Sequence, residues 1–374
     1  MSNRQLTYSG FRFFCAIAAA ILLAACATQT WTRPTIAPLE NQLPFEVADQ
    51  KILGVSEEMR QFLDQHLPNN LKGSSKAFVL AYASMDPNFL DFDYDPSKTL
   101  GAEDAFAQKT GNCLSFSNMF IAMAREAGMQ AWYQEVEVPT EWSSVNETLL
   151  VSRHVNAVAK DTYMDYVIDV SRKYRAEETT SRKISDREAL AQFYNNLGVD
   201  ALIDNQLPAA YAYFVKAIET HSNSAFFWSN LAVAYRRNGQ TEDAEATYLT
   251  AIRLDSDETV ALNNLYSIYT EQGNEAAARE MRPRVERHRR KNPYYLQQLS
   301  VEAVDEGRYD DAVKLIRRAI RIKEEEYRFH VTLASYLALS GEEDKALKSL
   351  ERARQLAPSA SALDEIELIE FGDS

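Results

Sequence analysis

Three residues far apart in the chain could together do thiol chemistry: Cys113, His154 and Asp169. A cysteine attacks as its thiolate, and that form is favoured where free backbone amides and a helix dipole face the sulfur. Cys113 stands at such a place. Gly111-Asn112 offers a turn and a cap. From Phe116 onward, Phe120, Met123, Ala124 and Ala127 mark one stripe of a helix that Gly128 closes. The spacing predicts that Cys113 lies in the first turn of that helix. A buried, inert cysteine would more naturally sit mid-helix on the apolar stripe.

A thiol needs a base. "LLVSRHVNAVAKDTYMDYVIDVS", residues 149–171, reads as two strands around a turn at Asp161-Thr162. On the first strand Ser152, His154, Asn156 and Val158 share a face; on the second, Asp165, Val167 and Asp169 do. A symmetric hairpin sets His154 directly opposite Asp169, close enough for the carboxylate to hold the imidazole. The chemistry would then be attack by the thiolate, proton transfer through the imidazole and orientation by the carboxylate. Taken alone, a sheet histidine and a strand-end cap are the simpler readings of the last two residues.

Other chemistry has less support. No Cys-x-x-Cys and no paired histidines occur, and His66, His154, His221, His288 and His330 are scattered, so no metal site is expected. The loop with Asp86, Asp91, Asp93 and Asp95 could bind calcium, but it lacks the glycine turn and ligand spacing of an EF-hand. An exposed acidic turn is the preferred reading, and no cofactor is expected. The formal charge of −14 argues against nucleic acid as the main partner, and against broad adhesion to anionic headgroups. At 374 residues the chain can build two or three cores.

The ordered set resembles the transglutaminase-like family of papain-type thiol enzymes. The matching residues are Gly111-Asn112-Cys113 opening a helix, Arg125-Glu126-Ala127-Gly128 ending it, and then His154 and Asp169 on strands. The resemblance covers about residues 75–175 and implies an α+β domain. It implies Cys113 as nucleophile, His154 as base and Asp169 as orienting acid. The residue two past the histidine is often aromatic in that family and is Asn156 here. Some periplasmic relatives of this fold depend on calcium. Before the cysteine, residues 56–67 and 74–85 read as helices.

The second half repeats with a period of 34 residues. Leu197, Leu231, Leu265, Leu299 and Leu333 keep register, as do Asn205, Gly239, Gly273, Gly307 and Gly341 at the turn. Ala210, Ala244, Ala278, Ala312 and Ala346 mark where paired helices approach. Five units without a slip resemble the tetratricopeptide repeat and imply an all-α solenoid over 191–360. The turn glycines should cap each first helix with positive φ. Pro283 lies inside a second helix and predicts a kink there. "RPRVERHRRK" makes that edge basic: a solvated face, or a dock for an acidic partner. By resemblance the fifth position of each repeat faces a peptide groove: Asn195, Ser229, Asn263, Gln297 and Val331. The sixth-position Asn196, Asn230 and Asn264 are common in the family and read as structural.

At the front, Arg4 and Arg12 precede a short apolar run, as in a secretion signal. The run ends Leu23-Ala24-Ala25-Cys26, which resembles a bacterial lipobox. That implies cleavage before Cys26, acylation of Cys26, and a stable lipid anchor. Ala27 implies export to the outer membrane of a Gram-negative cell, facing the periplasm. Cys15 leaves with the signal, so Cys113 is the free thiol of the mature chain and can form no internal disulfide. The expected organisation is a signal peptide (1–25), a lipidated tether (26–45), a transglutaminase-like domain (46–185), five repeats (191–360) and a tail (361–374). The expected function is a thiol-dependent amide hydrolase or acyl transferase acting on a peptide or protein, with the repeats recruiting a peptide or protein partner. The alternative is a non-catalytic scaffold using the same domain to bind.

Overall fold

A computed structural model describes residues 33–68, 73–136, 143–145, 148–150, 154–160, 165–170, 181–357 and 363. The chain divides into Met1–Ile36 and Ala37–Ser374, and among the described residues every helix and strand lies in the second unit. Cys26, the signal segment, residues 161–162 and nearly all of the tail lie outside the described residues.

Helix α1 (Glu57–His66) starts where Ser56 accepts the Met59 amide, and α2 (Gly73–Met85) follows. A short parallel pair, β1 (Asp93–Tyr94) with β2 (Thr110–Gly111), brackets α3 (Ala102–Gln108). Helix α4 (Cys113–Glu126) begins at Cys113, with the Asn112 side chain accepting the Ser115 amide. Gly128 takes φ +79 just past its end, the left-handed stop expected for glycine there.

Residues 114–124 of α4 are all buried, so the single apolar stripe expected from sequence becomes burial on every side. The cause is position: α4 is wrapped by α1, α2, α3 and the sheet. Its polar residues survive burial because they are paired. Asn118 donates to Leu100 O at 3.0 Å and accepts from the Tyr133 hydroxyl at 2.7 Å. Ser115 Oγ accepts from Leu100 N at 2.7 Å and donates to Lys98 O.

The sheet runs β7-β6-β3-β8, with β3 (Gln130–Val136), β6 (His154–Lys160), β7 (Asp165–Ile168) and β8 (Ser181–Ile184), all antiparallel. Residues 143–150, whose end was read as the start of the histidine strand, instead hold a separate hairpin, β4 (Ser143–Val145) with β5 (Thr148–Leu150). The β6–β7 register pairs Ala157 with Ile168 and Lys160 with Asp165. Extended by one step, it sets Asn156, not His154, opposite Asp169. The symmetric pairing expected from sequence is thus displaced by two residues. An even displacement keeps every side chain on its face, so His154 and Asp169 become diagonal rather than direct neighbours.

The second half is five helical pairs: α5 (Asp186–Ile203) with α6 (Leu207–Thr220), α7 (Ala225–Arg237) with α8 (Thr241–Leu254), α9 (Thr259–Glu271) with α10 (Glu275–Arg289), α11 (Pro293–Asp305) with α12 (Tyr309–Ile322), and α13 (Tyr327–Leu339) with α14 (Glu343–Leu356). The five turn positions all have positive φ: Asn205 at 58, Gly239 at 79, Gly273 at 68, Gly307 at 75 and Gly341 at 75. The alanines at the helix crossings, Ala210, Ala244, Ala278, Ala312 and Ala346, are all buried. Pro283 does not interrupt α10, which is one helix across it. The ring costs the Arg279 carbonyl its helical donor, but at a single position on a packed helix.

Residues 37–50, which begin within the segment read as a tether, lie along the first two repeats. The Tyr211 hydroxyl donates to Ala37 O at 2.7 Å, and the Tyr235 hydroxyl bonds the same carbonyl. Gln240 accepts from Glu40 N at 2.9 Å and donates to Pro38 O at 3.1 Å. Asp49 pairs with Lys216 at 2.7 Å, and Gln50 N donates to the Tyr194 hydroxyl at 2.9 Å.

Two glycines give opposite expectations for one kind of substitution. A Cβ at Gly239 would meet nothing within 4 Å, so only its φ of +79 is at stake. A Cβ at Gly198 would fall 2.5 Å from the Phe214 ring at the α5–α6 crossing. Gly239→Ala should cost about 1–2 kcal/mol of backbone strain. Gly198→Val should cost more, at least ~3 kcal/mol, because a buried ring must move. Thermal melts of the two variants check the order.

Candidate active site

Cys113 is half-buried at the first position of α4, where helix amides lack intrahelical partners. Asn112 holds that helix start in place. Its Oδ1 accepts from Ser115 N at 3.0 Å, its backbone amide donates to Lys98 O at 2.8 Å, and its Nδ2 donates to Thr99 Oγ1 at 2.9 Å. The glycine before it is required by space. At Gly111 φ is +152, and a Cβ would lie 2.5 Å from that of Ser115.

His154 comes in on β6, 5% exposed, and its Nε2 meets Asp169 Oδ2 at 2.5 Å. Cys113 stands near enough to the same imidazole to favour its charged form. With Nε2 given to the carboxylate, Nδ1 is the nitrogen left for the thiol. The structure therefore brings Cys113, His154 and Asp169 together in one site, with the imidazole bonded to Asp169 and beside Cys113. Burial opposes charge on His154, but the bond to Asp169 and the nearness of Cys113 outweigh it and push its pKa up to about 9. Asn156, two residues on, is buried on the same face, and its Oδ1 has no partner among the described residues.

The thiol opens on a cavity of about 620 Å³. One wall comes from the loop at Tyr94, Pro96 and Thr99 and from Val155; the other comes from helices of the second half. Asn196, Val199 and Asp200 of α5, with Phe226 and Asn230 of α7, line it.

Residues 68–165 match the family model described as the transglutaminase-like superfamily. Residues 213–246 and 298–361 match two models described as tetratricopeptide repeat. The chain joins a transglutaminase-like domain to tetratricopeptide repeats. No curated protein matches it. Among solved structures it is similar to MamA of Desulfovibrio magneticus RS-1, residues 41 to the end. That match has 13% identity and a TM-score of 0.29, over 46% of this chain and 96% of that one. PilF of Pseudomonas aeruginosa matches at 19% identity and a TM-score of 0.34, over 48% of this chain and 82% of that one. YrrB, described as a TPR protein with an unusual peptide-binding site, matches at 17% identity and a TM-score of 0.28, over 48% and 92%.

The transglutaminase-like domain and the first repeat are bonded together. Arg125 holds the Asp186 carboxylate at 2.6 and 2.9 Å, at the first residue of α5. Gln192 donates to Glu135 at 3.0 Å, and Arg182 pairs with both Glu135 and Glu188. Thr99, which accepts from Asn112, donates to Asp200 Oδ2 at 3.3 Å. A hydrogen-bonded line thus runs from the repeat to the residue before the thiol. Sequence reasoning missed Thr99 and Asp200. Asp200 falls at no position where the repeat pattern singles out an acid, and no spacing ties it to residue 99.

The fifth-position residues are used within the solenoid. Asn195 and Ser229 are fully buried, and Asn195 accepts from Asn230 at 2.8 Å. Asn263 accepts from Arg289 at 2.9 Å and Gln297 donates to Thr332 at 3.0 Å. The neighbouring sixth-position residues Asn196 and Asn230, read as structural, are the ones that line the cavity. In the acidic loop, Asp95 accepts from Ser97 and pairs with Lys98, and Asp86 accepts from Asn88. Among the described residues no group of three or more His, Cys, Asp or Glu is placed to hold a metal ion.

The raised His154 has a definite linkage. Its protonated form is favoured on folding, so the stabilisation is full below the unfolded value near 6.5 and is lost as pH rises through about 9. Asp169→Asn removes the carboxylate and should bring the His154 midpoint down towards 6.5. Titration of the ring by NMR in the two proteins checks both statements.

Proposed function

We propose that the transglutaminase-like domain is a thiol enzyme acting on an amide bond of a peptide or protein. The observation that carries this reading is the His154 imidazole held between Asp169, at 2.5 Å, and Cys113, at the mouth of a cavity. Cys113 Sγ attacks the amide carbon while its proton rests on His154. The tetrahedral oxyanion takes the backbone amide of Cys113 as a donor. Collapse breaks the C–N bond, His154 delivers the proton to the leaving nitrogen, and a thioester remains. Water or an amine then attacks the thioester, gives its proton to His154 and releases the thiolate. Asp169 keeps the ring in the tautomer and orientation that both steps need. The repeats bring the peptide or protein partner. On the reading of its leader, the protein is a lipoprotein, held through acylated Cys26 at the outer membrane and facing the periplasm.

Iodoacetamide labelling of Cys113 at pH 7, followed by mass spectrometry, tests the thiol reading. His154→Ala should slow labelling by ~10-fold or more, and Asp169→Asn by less, because it loosens the base without removing it. A slow thiol indifferent to both substitutions would leave the non-catalytic scaffold standing. For the anchor, Cys26→Ser should move the protein from the membrane fraction to the soluble one. Sedimentation with membrane in that variant would overturn lipid as the attachment.

A further inference from the structure

The cavity at Cys113 is not the property of the transglutaminase-like domain alone. Helices α5 and α7 of the repeats supply its far wall. Among its described lining residues there is no Lys, Arg or His, while two carboxylates are present, Asp200 and Asp204. Both come from the end of the first repeat helix. Leu114, Val199, Ile203 and Phe226 supply apolar surface in the same lining, beside uncharged polar side chains such as Asn196 and Asn230. Asp200 is the inner of the two, half-buried, and bonded to Thr99.

We infer that Asp200 is a specificity residue of the active site and receives a cationic group, an ammonium or guanidinium on an aliphatic stem, carried by the substrate. The inference rests on the thiol reading above and names what that thiol accepts. Apolar surface beside a carboxylate in one cavity fits such a side chain: the stem would cover Val199 and Phe226 while the head reaches Asp200. The carboxylate is held at a cost. Burial pushes Asp200 up to about 6, the Thr99 hydroxyl works against that, and Asp204 adds to the rise. Its ionised form is thus disfavoured on folding, and stability is lost as pH climbs from 3.8 through about 6. A cation in the cavity would reverse that cost, so the residue is better suited to a ligand than to the empty fold.

The test uses Cys113 as its own reporter, in the full chain. Cysteine is labelled at pH 7 with cationic 2-aminoethyl methanethiosulfonate and with neutral methyl methanethiosulfonate, and the ratio of the two rates is recorded. The wild-type protein should favour the cation. Asp200→Asn should lower the ratio by about five-fold or more, as expected for one charge removed within ~10 Å at an intermediate dielectric. Asn still accepts from Thr99, so the helix start is preserved, and this variant should melt no lower than the wild type at pH 7. Asp204→Asn should lower the ratio less. Asp310→Asn, which removes the same charge from the fourth repeat, should leave it unchanged. A ratio in Asp200→Asn within two-fold of the wild type overturns the inference. Failure of the thiol reading looks different: both reagents label slowly and His154→Ala changes neither, whatever the ratio does. Protection of Cys113 by acetyl-lysine methylamide would place the cation on the acylating peptide. That protection should be lost in Asp200→Asn, and its persistence there counts against the inference.

Discussion

The Asn112 side chain is the constraint from which the rest of the site follows. It caps the helix that begins with Cys113, and the same amide reaches Thr99 on the other side. Without the cap, the first turn of α4 would fray and the sulfur would lose its fixed relation to His154. Cap geometry also explains the demand for glycine at position 111, where any Cβ would meet the serine that Asn112 binds. A helix start so tightly specified is costly to build. Its cost is spread over the burial of α4 on all sides and the pairing of Ser115 and Asn118 with the Lys98–Leu100 backbone.

Thr99 carries the constraint across a domain boundary. Its hydroxyl receives from Asn112 and donates to Asp200, so the repeat touches the helix start that presents the thiol. Arg125 fixes Asp186 at the other end of α5, and Gln192 fixes the middle through Glu135. Exposed pairs such as Arg125–Asp186 are worth little singly. Set along one helix with a buried amide–carboxylate bond, they fix orientation more than they add stability. The repeats therefore form part of the wall of the cavity at Cys113.

Much of this was legible in the sequence, and the misses have physical causes. The repeat register was readable because a stacked solenoid demands the same small and turn residues in every unit; the positive φ at Asn205 and at Gly239, Gly273, Gly307 and Gly341 follows from it. The start of α4 was readable from Gly-Asn-Cys because capping is local. The pairing of His154 with Asp169 was right in face and wrong in register by two residues. Alternation fixes faces, whereas register depends on the turn, and Asp161-Thr162 did not determine it. All-round burial of α4 was hidden because Ser115, Ser117 and Asn118 are polar and their partners lie elsewhere: the Lys98–Leu100 backbone, Val155 on β6 and Tyr133 on β3. Asp200 was invisible for the same reason: its partner is far away in sequence.

The segment at residues 37–50 bears on how such a solenoid holds an extended chain. Its carbonyls at Ala37, Pro38 and Glu40 are taken by Tyr211, Gln240 and Asn238, and its amides at Glu40 and Gln50 by Gln240 and Tyr194. Backbone groups thus supply most of the contact, with Phe45 on Tyr213 and Asp49 on Lys216 adding side-chain specificity. The fifth-position residues Asn195 and Ser229 take no part, because they are spent in helix packing. Tyrosine hydroxyls and side-chain amides do the holding instead. A hydroxyl on a buried ring costs little entropy to fix, and it can meet a carbonyl that would otherwise lose its water. By occupying that surface on the first two repeats in cis, the segment restricts any other extended chain to the remaining faces of the solenoid and to the cavity that α5 and α7 share with Cys113.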